Sequence, residues 1–507
     1  VAKPSSPLSD DLETLKAQLV EAQAENERLR QIILAMQRHR FGRRAETLPE
    51  DQLLLGLEEA EQVEAAGFAA EEAEPAKKAA RVVKRRTNRG ALPAHLPRVE
   101  TFVDIDSTAC PCCSGALHKI GEDVSERLDV VPAQFRVLVI RRPRYACRAC
   151  EDAFAQAPAP PRLIEGGLPT DALVAQVLVS KYADHLPLYR QAQIFARQGV
   201  VLDRSTLADW VGRAAFLLRP VHERLLETLK RSGKLFADET TAPVLDPGRG
   251  RTKTGQLWAY ARDDRPWGGS DPPGVAYVYA PDRTAGRPIA HLAGFEGVLQ
   301  VDGYAAYEVL AKGGAVRLAY CWSHVRRAFY ELAAASPIAT EVLARIAALY
   351  RVEAEIRGCP ADERRAVRQE RSRPVIEALE PWLREKLGLV SRKSRLADAI
   401  RYALSRWAGL SLFLDDGRVE IDSNIVERAI RPLALNRKNA LFAGSDGGGQ
   451  HWAVIASLIE TCKLVGVEPH AYLADVITRI VEGHPQRHLD DLLPWAYPAM
   501  PALRAVA

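Results

Sequence analysis

KLFADETTAPVL (234–245), QLWAYARD (256–263), VAYVYAPD (275–282), TAGRPIAHL (284–292), VLQVDGY (298–304) and VRLAYCW (316–322) follow one another with short gaps. All but one of these pieces are rich in β-branched and aromatic residues with strand-like alternation, which sets successive side chains on opposite faces. TAGRPIAHL reads as a helix, and a second helix fits after VLQVDGY. The chain here therefore predicts three strands, a helix, a strand, a helix and a strand, an α/β sheet and not a bundle or a sandwich.

That order is the order of a ribonuclease-H-like sheet, whose first and fourth strands lie side by side at the centre. Asp238 falls in the first strand and Asp302 ends the fourth, so carboxylates 64 positions apart meet at one place. Oxygen ligands that converge in this way suit two Mg²⁺ ions about 3.5–4 Å apart, the arrangement that stabilises attacking and leaving oxygens in phosphodiester chemistry. A third carboxylate should come from a helix beside the sheet. DSNIVERAIRPLALNRKN (422–439) offers Glu427. Two readings of it stand: a metal ligand, or the glutamate of a capping box in which Asn424 caps the helix and Glu427 accepts a backbone N–H. Arg428, Arg431, Arg437 and Lys438 on the same segment favour a site facing DNA phosphates. Glu239 should point away from Asp238, and it ranks with Asp422 behind Glu427.

Upstream, Leu12, Leu15, Leu19, Ala22, Asn26, Leu29, Ile33 and Met36 take alternating steps of three and four. These are heptad a and d positions, and Asn26 at an a position favours a two-stranded, in-register coiled coil, hence a homodimer or higher oligomer. Residues 46–90 turn from acidic to basic with little apolar periodicity and read as a linker. Cys110 with Cys113 and Cys147 with Cys150 then form two C-x-x-C knuckles around strand-like FRVLVIRRPRYAC (135–147). Four thiolates at this spacing predict one structural zinc with no open coordination position, although Cys112 competes with its neighbours in the first knuckle. LYRQAQIFARQGVVLDRSTLADWV (188–211) has helix, turn at Gly199 and second helix capped near Asp203 or Ser205, the outline of a helix-turn-helix whose Arg204 and Arg213 would meet phosphates.

Downstream, residues 331–415 read as a helical insertion between Asp302 and Glu427. Trp382 and Trp407 fit its core better than base stacking. LFAGSDGGGQHWA (441–453) reads as a mobile glycine-rich loop near the site, with Gln450 and His451 as weak candidates for substrate contact. It lacks the strand and lysine of a phosphate-binding ATPase loop. The composition is that of a globular protein, with 47% hydrophobic and 26% charged residues, and the net charge of +4 is too small to locate a partner. With no apolar run of about 18 residues and no signal-peptide pattern, a cytoplasmic, nucleoid-associated protein without a membrane partner is expected.

The leucine-zipper-like helix, FGRRAE (41–46), CPCC (110–113), CRAC (147–150), FADETT (236–241), VDGYAAY (301–307), CWSHVRRAF (321–329) and ERAIRPLALNRKN (427–439) occur together in this order. The combination resembles the IS sixty-six family of bacterial insertion-sequence transposases over nearly the whole chain. The resemblance implies that Asp238, Asp302 and Glu427 are a DDE triad, that double-stranded DNA at transposon ends and targets is the substrate, and that accessory proteins of the same element take part. It also matches Cys321 and His324 to a C-x-x-H signature, too few ligands for a closed zinc site and better suited to positioning.

The expected map is a coiled coil at 1–45, a linker at 46–90, a zinc-binding domain at 91–156, a helical DNA-binding region at 157–225, a ribonuclease-H-like catalytic domain at 226–460 and a helical tail at 461–507. On this map a core beginning at 226 would keep its metal site without the regions that select DNA ends. Rival classes are a ribonuclease-H-fold nuclease that does not join strands, and a zinc-containing DNA-binding regulator without catalysis.

Overall fold

The computed structural model describes residues 135–146, 154–164, 167–246 and 251–499. The coiled coil, the linker and Cys110, Cys113, Cys147 and Cys150 lie outside the described residues. Of the strand expected at 135–147, only β1 (Arg144–Ala146) pairs, antiparallel to β2 (Phe154–Gln156). Val137, Leu138 and Val139 are 88%, 66% and 68% exposed, so alternation without a sheet partner leaves this segment extended and unpaired among the described residues.

The main sheet has β3 (Lys234–Asp246), β4 (Arg251–Arg262), β5 (Gly274–Ala280), β6 (Gly297–Val301) and β7 (Val316–Tyr320) in the order β5-β4-β3-β6-β7. β3, β4 and β5 form an antiparallel meander, while β6 and β7 run parallel to β3. A parallel return needs a crossover. Helices α4 (Gly286–His291) and α5 (Ala305–Ala311), each beside a parallel strand, provide it.

Among the described residues three helices precede the main sheet: α1 (Asp171–Tyr182), α2 (Leu188–Arg197) and α3 (Arg204–Lys230). Leu207, Trp210, Val211, Ala214, Ala215, Leu218, Val221, Leu225 and Leu229 of α3 repeat at steps of three, four and one, and all are buried. This one stripe packs on β5 and on the long C-terminal helix, so it shares the core of the sheet. The boundary expected at 225/226 falls inside α3, and a chain cut there would keep only Leu229 of these nine residues. α2 and α3 do join through Gly199 at φ 81, with Asp203 as the N-cap residue of α3.

The segment from Ala333 to Asp415 is helical apart from short turns and has its own apolar core. Its helices are α7 (Pro337–Glu355), α8 (Ala361–Val367), α9 (Arg373–Leu389), α10 (Arg395–Ser405) and α11 (Trp407–Asp415), preceded by α6 (Trp322–Tyr330). Trp407 packs edge-on against Trp322, and Trp382 lies under the cations of Arg345 and Lys386, so both tryptophans serve packing. Two arginines are fully buried here: Arg368 binds Glu353 at 2.6 Å, and Arg364 binds Glu420 at 2.8 Å.

α12 (Asn424–Ala440), α13 (Asp446–Val465) and α14 (Pro469–Val481) complete the fold. Of the stretch expected as a loop, residues 441–445 are not helical, but the glycines at 447–449 are. Ser445 caps α13 by accepting the Gly448 N–H at 3.1 Å, and the glycines form the first turn. A Cβ on Gly449 would stand 2.6 Å from the Tyr279 ring, which explains one of them. The boundary expected at 460/461 lies inside α13, which covers β5 and carries the buried Ser457 and Thr461 that bond β5 backbone. No helix among the described residues is long and apolar enough to cross a membrane.

Candidate catalytic site

β3 and β6 pair in parallel as far as Phe236 opposite Gln300. Two residues beyond this pair stand Asp238 and Asp302, on the same register and on strands about 4.8 Å apart. Asp238 accepts the Glu239 N–H at 2.8 Å, and Asp302 accepts the Tyr304 N–H at 2.9 Å. Each bond uses Oδ1, and neither Oδ2 takes a hydrogen bond from a described residue. Burial, followed by the charges of Asp302 and Glu239, pushes the Asp238 carboxyl up to about 7, against the pull of the Glu239 N–H.

The turn after Asp302 is held from the insertion. Tyr402 of α10 donates its hydroxyl to the Asp302 carbonyl at 2.7 Å, and Arg406 donates to the Gly303 carbonyl at 3.0 Å. Gly303 has φ 109, and a Cβ there would lie 2.5 Å from Arg406 Nε. Only glycine fits both the backbone and the arginine.

Glu427 arrives on α12, whose approach is fixed to β6 and α6. Gln300, fully buried, donates to the carbonyls of Glu420 and Asp422 at 2.7 and 2.9 Å. The Trp322 N–H takes the Ile421 carbonyl at 3.0 Å, and the Ser423 N–H meets Cys321 Sγ at 3.2 Å. The capping box expected from Asn424 is absent. Asp422 Oδ1 accepts the Asn424 N–H at 3.2 Å, the N-cap residue is Ser423, and Glu427 stands one position too far along to take a cap N–H. Its Oε1 instead accepts the Ser423 hydroxyl at 3.1 Å and lies 3.8 Å from His324 Nδ1.

Cys321, His324 and Glu427 thus form the group of possible ligands, among the described residues, whose atoms all lie within 4.8 Å. The three acidic residues do not close to that distance. The Cys321 side chain first, then the charges of Glu427 and Asp302, raise His324 to about 9 against the cost of burial. Burial alone would raise the Cys321 thiol, but His324, Ser323 and the Ser423 N–H outweigh it and bring it down.

Glu239 is committed elsewhere. Its carboxylate pairs with Arg283, through Nε at 2.8 Å, and accepts the Tyr307 hydroxyl at 3.1 Å. Arg283 in turn stacks 3.9 Å from the Tyr304 ring, two residues after Asp302. Burial raises the Glu239 carboxyl, with Arg283 opposing. Asp422 is likewise raised by burial and engaged with Asn424. Arg283, Tyr307, Tyr402 and Arg406 were not singled out from the sequence. Nothing in local spacing links them to the aspartates, and the VDGY glycine was the one available signal of a crowded turn.

The cationic residues expected to meet phosphates divide. Arg204, Arg428 and Lys438 are exposed, and Arg431 is exposed with a partner of its own. Arg213 is exposed but bonded to Asp209 at 2.8 Å. Arg437 is tied to β3, donating to the carbonyl and hydroxyl of Thr241 at 2.7 and 2.6 Å. Gln450 is exposed in the first turns of α13, whereas His451 packs beside Gly212 of α3 and burial lowers its pKa.

Residues 166–451 match the family described as Transposase IS66 family, and residues 107–151 match the zinc-finger binding domain of transposase IS66, a span that holds all four knuckle cysteines. Residues 457–495 match the IS66 C-terminal element, and residues 28–101 match Transposase C of IS166 homeodomain. Similar chains occur in Sinorhizobium fredii (strain NBRC 101917 / NGR234). Uncharacterized protein y4jD is 51% identical over 81% of this chain and 82% of its own length. Uncharacterized protein y4qI is 47% identical over 96% and 92%, and uncharacterized protein y4hP is 39% identical over 82% and 78%.

Proposed function

Because the chain belongs to the IS66 family of transposases, we propose that it cuts and joins DNA strands at Asp238, Asp302 and Glu427, on a ribonuclease-H-like fold. The observation that carries this reading is the in-register placement of Asp238 and Asp302 on adjacent parallel strands, with the Glu427 helix bound to the end of the same pair. The donor set fits a hard cation: carboxylates only, crowded enough to raise Asp238, with an Oδ2 of each aspartate not engaged by described residues. Two Mg²⁺ ions bound there would activate water and stabilise the attacking and leaving oxygens.

The chain's own groups do the rest. Tyr402 and Arg406 fix the Asp302 turn, the Ser423 hydroxyl and His324 orient Glu427, and Arg283 holds Glu239 out of the donor set. Exposed Arg428, Arg431 and Lys438 on α12 face the DNA backbone. The knuckle cysteines hold one structural zinc, and the N-terminal heptads pair two copies in a cytoplasmic, nucleoid-bound complex, joined by accessory proteins of the same element.

The test is cleavage and joining of a plasmid bearing the element's own ends. Asp238→Ala, Asp302→Ala and Glu427→Gln should each abolish Mg²⁺-dependent products while end binding persists. Glu427 bonds no backbone N–H, so the Gln variant should melt with the parent. A Glu427→Gln protein that cuts and joins at the parental rate would sink the assignment.

A further inference from the structure

α12 ends in a turn centred on Leu441, whose φ is 64 and ψ −48. The Phe442 N–H folds back to the Ala440 carbonyl at 2.8 Å, closing a three-residue turn of the rare, strained hand. Glycine is the usual residue where a helix ends at positive φ. Here the position holds leucine, and glycine comes only at Gly444.

The turn is clamped on both sides. The Leu441 N–H reaches the Arg437 carbonyl at 2.8 Å, while Ala443 donates to the Pro243 carbonyl and accepts from the Leu245 N–H, both at 2.8 Å. Leu441 and Phe442 are therefore held outward, 67% and 41% exposed. Lys438 is exposed beside them, and Arg437 is fixed to Thr241 one strand away. A rigid apolar point with cations at its base fits a partner that is anionic at the rim and flat and apolar within. Duplex DNA has this character, and leucine and phenylalanine are among the side chains that enter its base steps.

The inference rests on the DNA-joining reading above. Leu441 follows Glu427 by 14 residues of helix, about 21 Å at a rise of 1.5 Å per residue. That is about six base steps at 3.4 Å each. We infer that Leu441 and Phe442 form a wedge that enters the base stack within about six steps of the reacting phosphate and unstacks the duplex there.

The test uses the full chain and a duplex of about 40 base pairs that terminates in the element's own end, with 2-aminopurine placed singly along the first ten or so positions from that end. Binding is followed by anisotropy and unstacking by fluorescence at saturating protein. The parent should raise fluorescence severalfold at one or two adjacent positions. Leu441→Gly with Phe442→Ala should bind but flatten that rise, and glycine accepts the positive φ, so the variant keeps its fold. Lys438→Ala should weaken binding at every position and leave the profile at saturation unchanged.

Binding without a fluorescence rise, or a rise that survives in the double variant, overturns the wedge alone. A double variant that changes only its sedimentation state would show the pair to be a contact between copies, and also overturns it. Absence of binding by the parent overturns the DNA reading and the wedge with it.

Discussion

Replacing Asp238 by asparagine removes one charge from a buried carboxylate group while keeping an oxygen to accept the Glu239 N–H at the same place. The parental carboxyl is pushed from 3.8 up to about 7, by burial first and by Asp302 and Glu239 next. The folded protein thus binds this proton more tightly than the unfolded chain does. The resulting stability is whole below pH near 4 and is lost as pH rises through about 7. At roughly 1.4 kcal/mol per tenfold change in proton affinity, the ceiling on the effect above pH 7 is about 4 kcal/mol. Relaxation of the neighbouring carboxylates should leave about half, roughly 2 kcal/mol. The unit spanning residues 131–502 unfolds with an entropy of roughly 0.8 kcal/mol per degree, so the shift in Tm should be about 2–3 °C. The assay is a melting series in chelator from about pH 4.5 to 8. Parent and Asp238→Asn should coincide at the acid end, and the variant should melt higher at the alkaline end. Added Mg²⁺ should raise the parent more than the variant, because ligand bound to the native state stabilises it. A variant that melts below the parent at pH 8 in chelator, or a gap that does not change with pH, would refute the account of a carboxylate held against its neighbours.

Three further outcomes are expected. Gly303→Ala should lose cleavage and joining and melt lower by about 2–3 kcal/mol, since alanine at φ 109 is strained and its Cβ meets Arg406; parental activity would show that the Asp302 turn tolerates displacement. A chain truncated before residue 226 should not fold, because it loses Leu207, Trp210, Val211, Leu218 and Val221 from the core, on the order of 10 kcal/mol of burial; a soluble, cooperatively melting fragment would contradict this. Freshly purified protein should carry about one zinc per chain, released by strong chelators without loss of the Mg²⁺ response; elemental analysis showing none would remove the knuckle assignment.

The adjacency of the strands that carry Asp238 and Asp302 was legible because strand order and period are local signals, and β3 and β6 lie where that order places them. For Glu427 the sequence leaves two readings, of which the structure removes the cap. Asn-x-x-Glu carries no mark that tells cap from ligand, and the difference lies in Asp422, whose carboxylate takes the Asn424 N–H and shifts the cap to Ser423. The glycines at 447–449 read as a loop for a related reason, yet they open α13. Helix propensity counts glycine as a breaker, but Ser445 supplies a cap and Tyr279 occupies the space a Cβ would need. The boundary expected at 226 lies where the motifs change, whereas the burial stripe of α3 runs through it unbroken.

What no local pattern reveals is why 124 residues can separate Asp302 from Glu427 without loosening the site. Chain length alone costs little. Against a connection of about 30 residues it adds two doublings, about 1.2 kcal/mol of closure entropy. A neutral hydrogen bond contributes about 0.5–1.5 kcal/mol and one to a charged group about 1.5–3 kcal/mol, and the insertion supplies bonds at each end. Tyr402 and Arg406 bind the carbonyls of Asp302 and Gly303. At the other end, Arg364 reaches across 56 positions to Glu420, two residues before Asp422, with Arg368 and Glu353 completing a buried network. Removing one partner of such a network costs about 3–5 kcal/mol, because the other charge is left buried and alone. The insertion therefore ties the two carboxylate-bearing segments to one body more firmly than a short loop would, and the distance in sequence between Asp302 and Glu427 is bridged by the residues that lie between them.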